Sequence, residues 1–311
     1  MALIAGFFVA VLATPLAALL ATRVGLVDRP GPLKVHARPV PYLGGLAVLV
    51  ALIGPVVGAR PSLLGPLVLA AALGIADDAT DLAPALRIAA EVGIGVAATW
   101  VVAPHDAGHV VLGVLVVLVL VNAVNLLDGL DGLAAGVCAC SALGFFVVLS
   151  GSGATLALAL VGALAGFLVW NSPPARIYLG DSGSYLIGTA LAMLFLAASQ
   201  RDAAVVSGAL LFVGVPVADT VVAIVRRIRA HTPLLQGDRG HVYDQLVDHG
   251  WSARLAVVAC VTAQGLLTAA GIGIATLSGG VAVGLCIAIV GVVGTAAVLA
   301  FTSPRAWTPD H

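Results

Sequence analysis

Eleven continuous apolar runs, separated by short polar breaks, occupy most of this chain, at roughly 1–22, 42–58, 62–76, 84–103, 108–125, 131–150, 153–170, 184–199, 204–226, 253–276 and 279–302. Most approach the twenty or so residues that a helix needs to cross about 30 Å of hydrocarbon. Backbone in hydrocarbon must satisfy its own hydrogen bonds, which leaves helices or a closed barrel. The runs are continuous instead of alternating, and this disfavours the barrel. With 61% hydrophobic and 9% charged residues over 311 positions, the chain also has too little polar surface for a soluble globule. The expected fold is all-α, a polytopic transmembrane helical bundle of about 11 helices forming a single integral-membrane domain over 1–311. The run at 62–76 is the weakest of the eleven.

If the helices alternate in direction, the basic residues divide unevenly between the two sides. Arg23, Arg29, Lys34, Arg38, Arg87, Arg176, Arg226, Arg227, Arg229, Arg239, Arg254 and Arg305 fall on one side, and only Arg60 and Arg201 on the other. The positive-inside rule makes the first side cytoplasmic. The first run lacks a basic n-region and is long for a secretory core, so it is expected to be a retained helix. Cys138, Cys140, Cys260 and Cys286 all lie within expected spans and suit packing better than metal binding.

Polar groups gather where apolar runs end, on the side with most of the basic residues. The stretch Asn122-Ala-Val-Asn-Leu-Leu-Asp-Gly-Leu-Asp-Gly132 places Asn122, Asn125 and Asp128 at every third residue, within one helical face. In Asp77-Asp-Ala-Thr-Asp81, carboxylates converge if the helix runs through them, and Arg87 is the partner expected of a plain solvated helix end. Gly180-Asp-Ser-Gly-Ser184 sets Asp181 at a helix start, where free N–H groups favour phosphate and where a simple N-cap is the alternative. Lys34 is the only lysine, a point charge suited to phosphate, in a Pro- and Gly-rich loop. Asp238, Arg239, His241, Tyr243 and Asp244 share a later charged loop, in which an interfacial amphipathic helix is the plain reading; Arg226, Arg227 and Arg229 read as membrane anchors. Carboxylates and amides are hard oxygen donors, so the expected metal is Mg2+, with Mn2+ as substitute, shared between protein and substrate phosphates.

The run Asn122 to Ala134, with Asp77-Asp78, Gly180-Asp-Ser-Gly-Ser184 and Pro41-Tyr-Leu-Gly-Gly45, resembles the polyprenyl-phosphate N-acetylhexosamine-1-phosphate transferase superfamily (glycosyltransferase family 4) over nearly the whole chain. The resemblance implies transfer of a sugar 1-phosphate from a UDP-sugar to polyprenyl phosphate in the plasma membrane, with release of UMP and a requirement for magnesium. It implies partners limited to UDP-sugar, lipid phosphate and membrane, with no nucleic acid and a homodimer open. Residue by residue, Asp181 takes the family's magnesium position with Asn125 beside it, and Asp77 and Asp78 take the adjacent acidic pair of the catalytic set. Asn122, Asn125 and Asp128 match the nucleotide-side motif, Lys34 a loop lysine, and Arg239 with His241 the late basic motif.

Where the hexosamine branch tends to read His-x-His-His, this chain reads His241-Val-Tyr243-Asp244, and it lacks the triple histidine of the muramoyl-pentapeptide branch. UDP-N-acetylglucosamine is therefore the expected donor. The phospho-N-acetylmuramoyl-pentapeptide transferase is the alternative, and a proton-coupled transporter using Asp219 and Glu91 is the reading from another class. For Asp219 the plainer expectation is a polar contact at a helix end. A CDP-alcohol phosphotransferase is disfavoured because its spaced aspartates are missing. The expected chemistry is direct attack by the lipid phosphate on the sugar-linked phosphorus, with a two-step route through an aspartyl intermediate left open.

Overall fold

The computed structural model describes residues 1–29, 39–233 and 240–301. Lys34 and Arg239 lie outside the described residues, and so do the expectations placed on them. The protein is an all-α polytopic membrane protein. Helices α1 (Ala2–Val24), α2 (Gly44–Ala59), α3 (Leu64–Thr80), α4 (Pro84–Val102), α5 (Ala107–Leu127), α6 (Leu133–Val148) and α7 (Gly151–Asn171) follow one another along the chain. They are succeeded by α8 (Gly180–Ala198), α9 (Ala203–Phe212), α10 (Gly214–Ala230), α11 (Val242–Asp248), α12 (Ala253–Ile274) and α13 (Gly279–Phe301). A two-stranded ribbon pairs Val27–Asp28 with Val40–Pro41. Among the described residues, seven helices are long and apolar enough to cross a membrane, and eight if the bent pair α9–α10 counts as one span. Three shorter apolar helices complete the correspondence with the eleven runs.

The run at 204–226 departs from the single straight helix expected of it. It breaks at Val213 into α9 and α10, bent by 64°. A break inside hydrocarbon frees backbone groups that need partners, and Gln264 of α12, fully buried, supplies them. Its Nε2 donates to the carbonyls of Leu211 (3.1 Å) and Phe212 (3.0 Å), while its Oε1 accepts from the Val215 N–H (2.9 Å).

The core is built around α8, which buries sixteen of its nineteen residues. It carries glycines where neighbours approach, so backbones meet directly, as membrane interfaces favour. A Cβ on Gly45 of α2 would strike the backbone of Gly183 on α8. Outward faces carry lipid-compatible side chains such as Leu12, Leu16, Val111 and Leu266. Alternating helix directions bring the ends of α3, α5 and α7 beside the starts of α2, α4, α6 and α8.

Candidate active site

The loop before α2 is stitched to the segment before α8. Tyr42 and Tyr178 form a parallel bridge, and the N–H groups of Gly44 and Gly45 donate to the carbonyls of Tyr178 (3.0 Å) and Leu179 (2.9 Å). This pins the start of α8 where α3 ends. Gly180 has φ +72, a conformation for which glycine is suited, and a Cβ there would lie 2.8 Å from the Asp78 carboxylate.

Asp78 is the cap of α8. Its Oδ1 accepts from the Asp181 N–H (3.1 Å) and its Oδ2 from the Ser182 N–H (3.2 Å). The helix start that the sequence marks as a phosphate cradle is thus already occupied by the protein's own Asp78 carboxyl group from α3. Capping across two helices satisfies donors that would otherwise be orphaned.

Asp181 projects from the first turn of α8 towards α5. Asn125 Nδ2 donates to its Oδ1 at 2.6 Å and to Ser184 Oγ at 3.1 Å. Asn125 meets the carboxylate through its nitrogen and so steadies Asp181 as a donor. Asp128, just past the end of α5, completes the acidic group. Although part of its surface is open, dense surrounding protein raises its carboxyl well above the usual carboxylate range, and the charges of Asp181, Asp78 and Asp131 push the same way.

Asp77 lies beside Asp181 and has further partners of its own. Buried, it accepts from Tyr185 Oη (2.5 Å) and the Leu82 N–H (2.9 Å) and pairs with Arg87 at 3.4 Å. Asp81 does not join it, contrary to the expected convergence, because α3 ends at Thr80 and Asp81 turns left-handed (φ 51) and exposed. Asn122, although on the same helix as Asn125, donates to Glu91 Oε2 of α4 (2.7 Å) and to its own Leu118 carbonyl (2.9 Å). The every-third-residue stripe therefore splits between two neighbouring helices.

The late motif docks beneath the end of α5. His241, nearly buried, pairs through Nδ1 with Asp219 Oδ2 at 2.7 Å, and Asp219 Oδ1 accepts from the Val242 N–H at 2.7 Å. Asp219 thus makes the polar contact expected of it, with a partner that sequence did not name. Tyr243 Oη donates to the Leu126 carbonyl at 2.9 Å, and its ring stacks on His241 with centroids 5.5 Å apart. Arg227 is buried, not a solvent-facing anchor, and the Arg226 guanidinium packs on Gly240 beside His241.

Asn171 and Tyr185, which carry no motif, and Asp131 of the Asn122 to Gly132 run support the site. Asn171, at the end of α7, accepts from the Gly132 N–H (2.9 Å) and donates to the Ile177 carbonyl (2.9 Å), while Asp131 accepts from the Ala175 N–H (2.8 Å). Tyr185 holds Asp77. A lone amide closing an apolar run, as in Trp170-Asn171, was the available signal for the first.

The family model described as glycosyl transferase family 4 matches residues 61–199, the stretch from before α3 through α8. The "probable undecaprenyl-phosphate N-acetylglucosaminyl 1-phosphate transferase" of Bacillus subtilis is 29% identical over 286 residues, covering 83% of this chain and 79% of that protein. The "decaprenyl-phosphate N-acetylglucosaminephosphotransferase" of Mycolicibacterium smegmatis is 33% identical over 295 residues, covering 77% of this chain and 73% of that protein. The chain belongs to glycosyl transferase family 4. A phospho-N-acetylmuramoyl-pentapeptide-transferase of Clavibacter sepedonicus is 38% identical over 124 residues, only 39% of this chain and 32% of that protein. The family 4 match spans Asp77, Asp78, Asn125, Asp128 and Asp181, and the two longer matches run well beyond it.

What this family 4 site offers chemically is a set of oxygen donors with excess negative charge. Among the described residues, no three His, Cys, Asp or Glu side chains group as a ready-made metal chelate. One or two carboxylates suit a cation that keeps waters and shares phosphate oxygens, as Mg2+ does. Repulsion among Asp77, Asp78, Asp128 and Asp181 is the feature that a bound cation would relieve.

Proposed function

We propose that this protein transfers N-acetylglucosamine 1-phosphate from UDP-N-acetylglucosamine to polyprenyl phosphate, releasing UMP, with Mg2+ required and Mn2+ able to replace it. The reaction belongs to the plasma membrane, at a site facing the cytoplasm. The observation that carries this reading is the joining of Asn125 and Asp181 across α5 and α8 inside an acidic group. Relatives named for N-acetylglucosamine phosphate transfer to undecaprenyl or decaprenyl phosphate support the substrates, and the excess of arginine on the loops of the site end supports the sidedness.

In this reading Asp181 is the metal-binding carboxylate, held in aim by Asn125, with Asp128 beside it. Bound Mg2+ would neutralise charge developing on the pyrophosphate oxygens. Asp78 acts by fixing the α8 start, and Asp77 holds Arg87, a partly exposed cation suited to a phosphate oxygen. His241, Arg239 and Lys34 contact the diphosphate or the sugar, with Asp219 orienting the His241 ring. A phosphate monoester with a second pKa of about 6 is largely dianionic at neutral pH, so positioning matters more than base catalysis.

The decisive test incubates detergent-purified protein with undecaprenyl phosphate and either radiolabelled UDP-N-acetylglucosamine or the UDP-muramoyl-pentapeptide donor, in Mg2+ and in EDTA. The expected result is lipid-linked product and UMP from the first donor only, abolished by EDTA. A preference for the pentapeptide donor of tenfold or more in kcat/KM, about 1.4 kcal/mol of discrimination, would overturn the donor assignment. Full activity in EDTA would overturn the metal assignment.

A further inference from the structure

At the opposite end of the bundle from the acidic group, the ends of α2, α4 and α8 and the start of α7 leave a cavity of about 190 Å³. Leu63, Val102, Leu149 and Met193 give it apolar walls. Two exposed guanidiniums, Arg60 and Arg201, line it as well. These are the two basic residues that the sequence places on this side of the membrane, and both meet at one cavity.

Among the described residues neither arginine has a carboxylate within ion-pairing distance. Two acids on this side serve as helix caps: Asp106 caps α5 and binds His109 Nδ1 at 2.5 Å, and Asp202 caps α9 by accepting from the N–H groups of Ala204 and Val205. One contact of Arg201 goes to the neutral Ser150 Oγ, at 2.8 Å. Ser150, Ser152 and Gly153, where α7 begins, line the same cavity, and the Ser150 side chain makes no capping bond there. The positive end of that helix therefore adds to the arginines. Trp100, exposed and stacked on His105 with centroids 4.1 Å apart, marks this level as the bilayer interface.

An apolar-walled cavity at headgroup depth with two arginines that form no ion pair among the described residues suits an amphiphile whose head is an anionic phosphate, because the guanidinium fork matches phosphate oxygens. We propose that this cavity binds the phosphate headgroup of an anionic lipid, at the membrane face opposite the acidic group. The inference does not depend on the transferase reading.

Native mass spectrometry of the purified full-length protein tests it, with phosphatidylglycerol, phosphatidylcholine and inorganic phosphate titrated separately. Phosphatidylglycerol should bind more tightly than phosphatidylcholine. The double variant Arg60→Gln/Arg201→Gln, altered only at exposed positions, should lose at least tenfold of that affinity while melting at the wild-type temperature and keeping its phosphatidylcholine background. Undiminished phosphatidylglycerol binding by the double variant, or no preference over phosphatidylcholine in the wild type, would overturn the site. Inorganic phosphate binding as tight as phosphatidylglycerol would overturn its assignment to a lipid.

Discussion

At the residue scale, neighbouring carboxylates have separate tasks. Asp181→Asn should leave the fold intact and reduce turnover more than tenfold, a barrier increase above about 1.4 kcal/mol, as read by UMP release from monodisperse protein. Asp78→Ala should behave differently, because it uncaps α8: a loss of about 1 kcal/mol in stability, visible as a lower melting temperature, with Asp78→Asn, which keeps one acceptor oxygen, retaining part of it. Equal melting of the Ala and Asn variants would remove the capping role. Asp128 makes stability depend on pH. Its carboxyl is held above its ordinary value in the folded protein, chiefly by burial. The folded state therefore keeps a proton that the unfolded chain releases, and this contribution is full below the ordinary carboxylate value and lost as pH rises through the raised one. Metal-free protein should lose thermal stability across that window, and Asp128→Asn should flatten the dependence. An unchanged slope in the variant would refute it.

At the element scale, the parts that depart from regular helix are those that are braced from outside. The α9–α10 break is held by Gln264, whose amide meets two carbonyls and one N–H. Gln264→Leu keeps the volume and removes every one of these bonds, so it should cost at least about 1–3 kcal/mol through unsatisfied buried groups, measured as a fall in melting temperature. Melting within a degree of wild type would mean that the break is stabilised without it. The two sides of the site are held in the same way: Asp78 ties α3 to α8, Asn125 ties α5 to α8, and Tyr243 ties α11 to the end of α5.

For the whole molecule, alternating helices place the acidic group at one end and the arginine-lined cavity at the other. If the site faces the cytoplasm, a cysteine at Gly108, introduced after the four native cysteines are replaced, should react with an impermeant reagent added to intact cells. One at the exposed Arg176 should react only after lysis. Labelling of the Arg176 position from outside would invert the topology.

Several features were legible from sequence alone because they are local. Hydropathy is summed along a run, so the eleven segments and the all-α membrane fold followed from composition and run length, and the polar clusters stood out by their cost in hydrocarbon. Residue spacing likewise marked Asn125, Asp128 and Asp181 as neighbours of a helix end. Partner choice was decided only by the tertiary structure, because it depends on which distant helix lies opposite. Spacing put Asn122 with Asn125, yet packing against α4 gave it to Glu91; a helix start suited to phosphate was filled by Asp78 from 103 residues away. Asp219 and His241 are single polar residues in separate segments, and only the turn back of α11 beneath α5 makes them a pair.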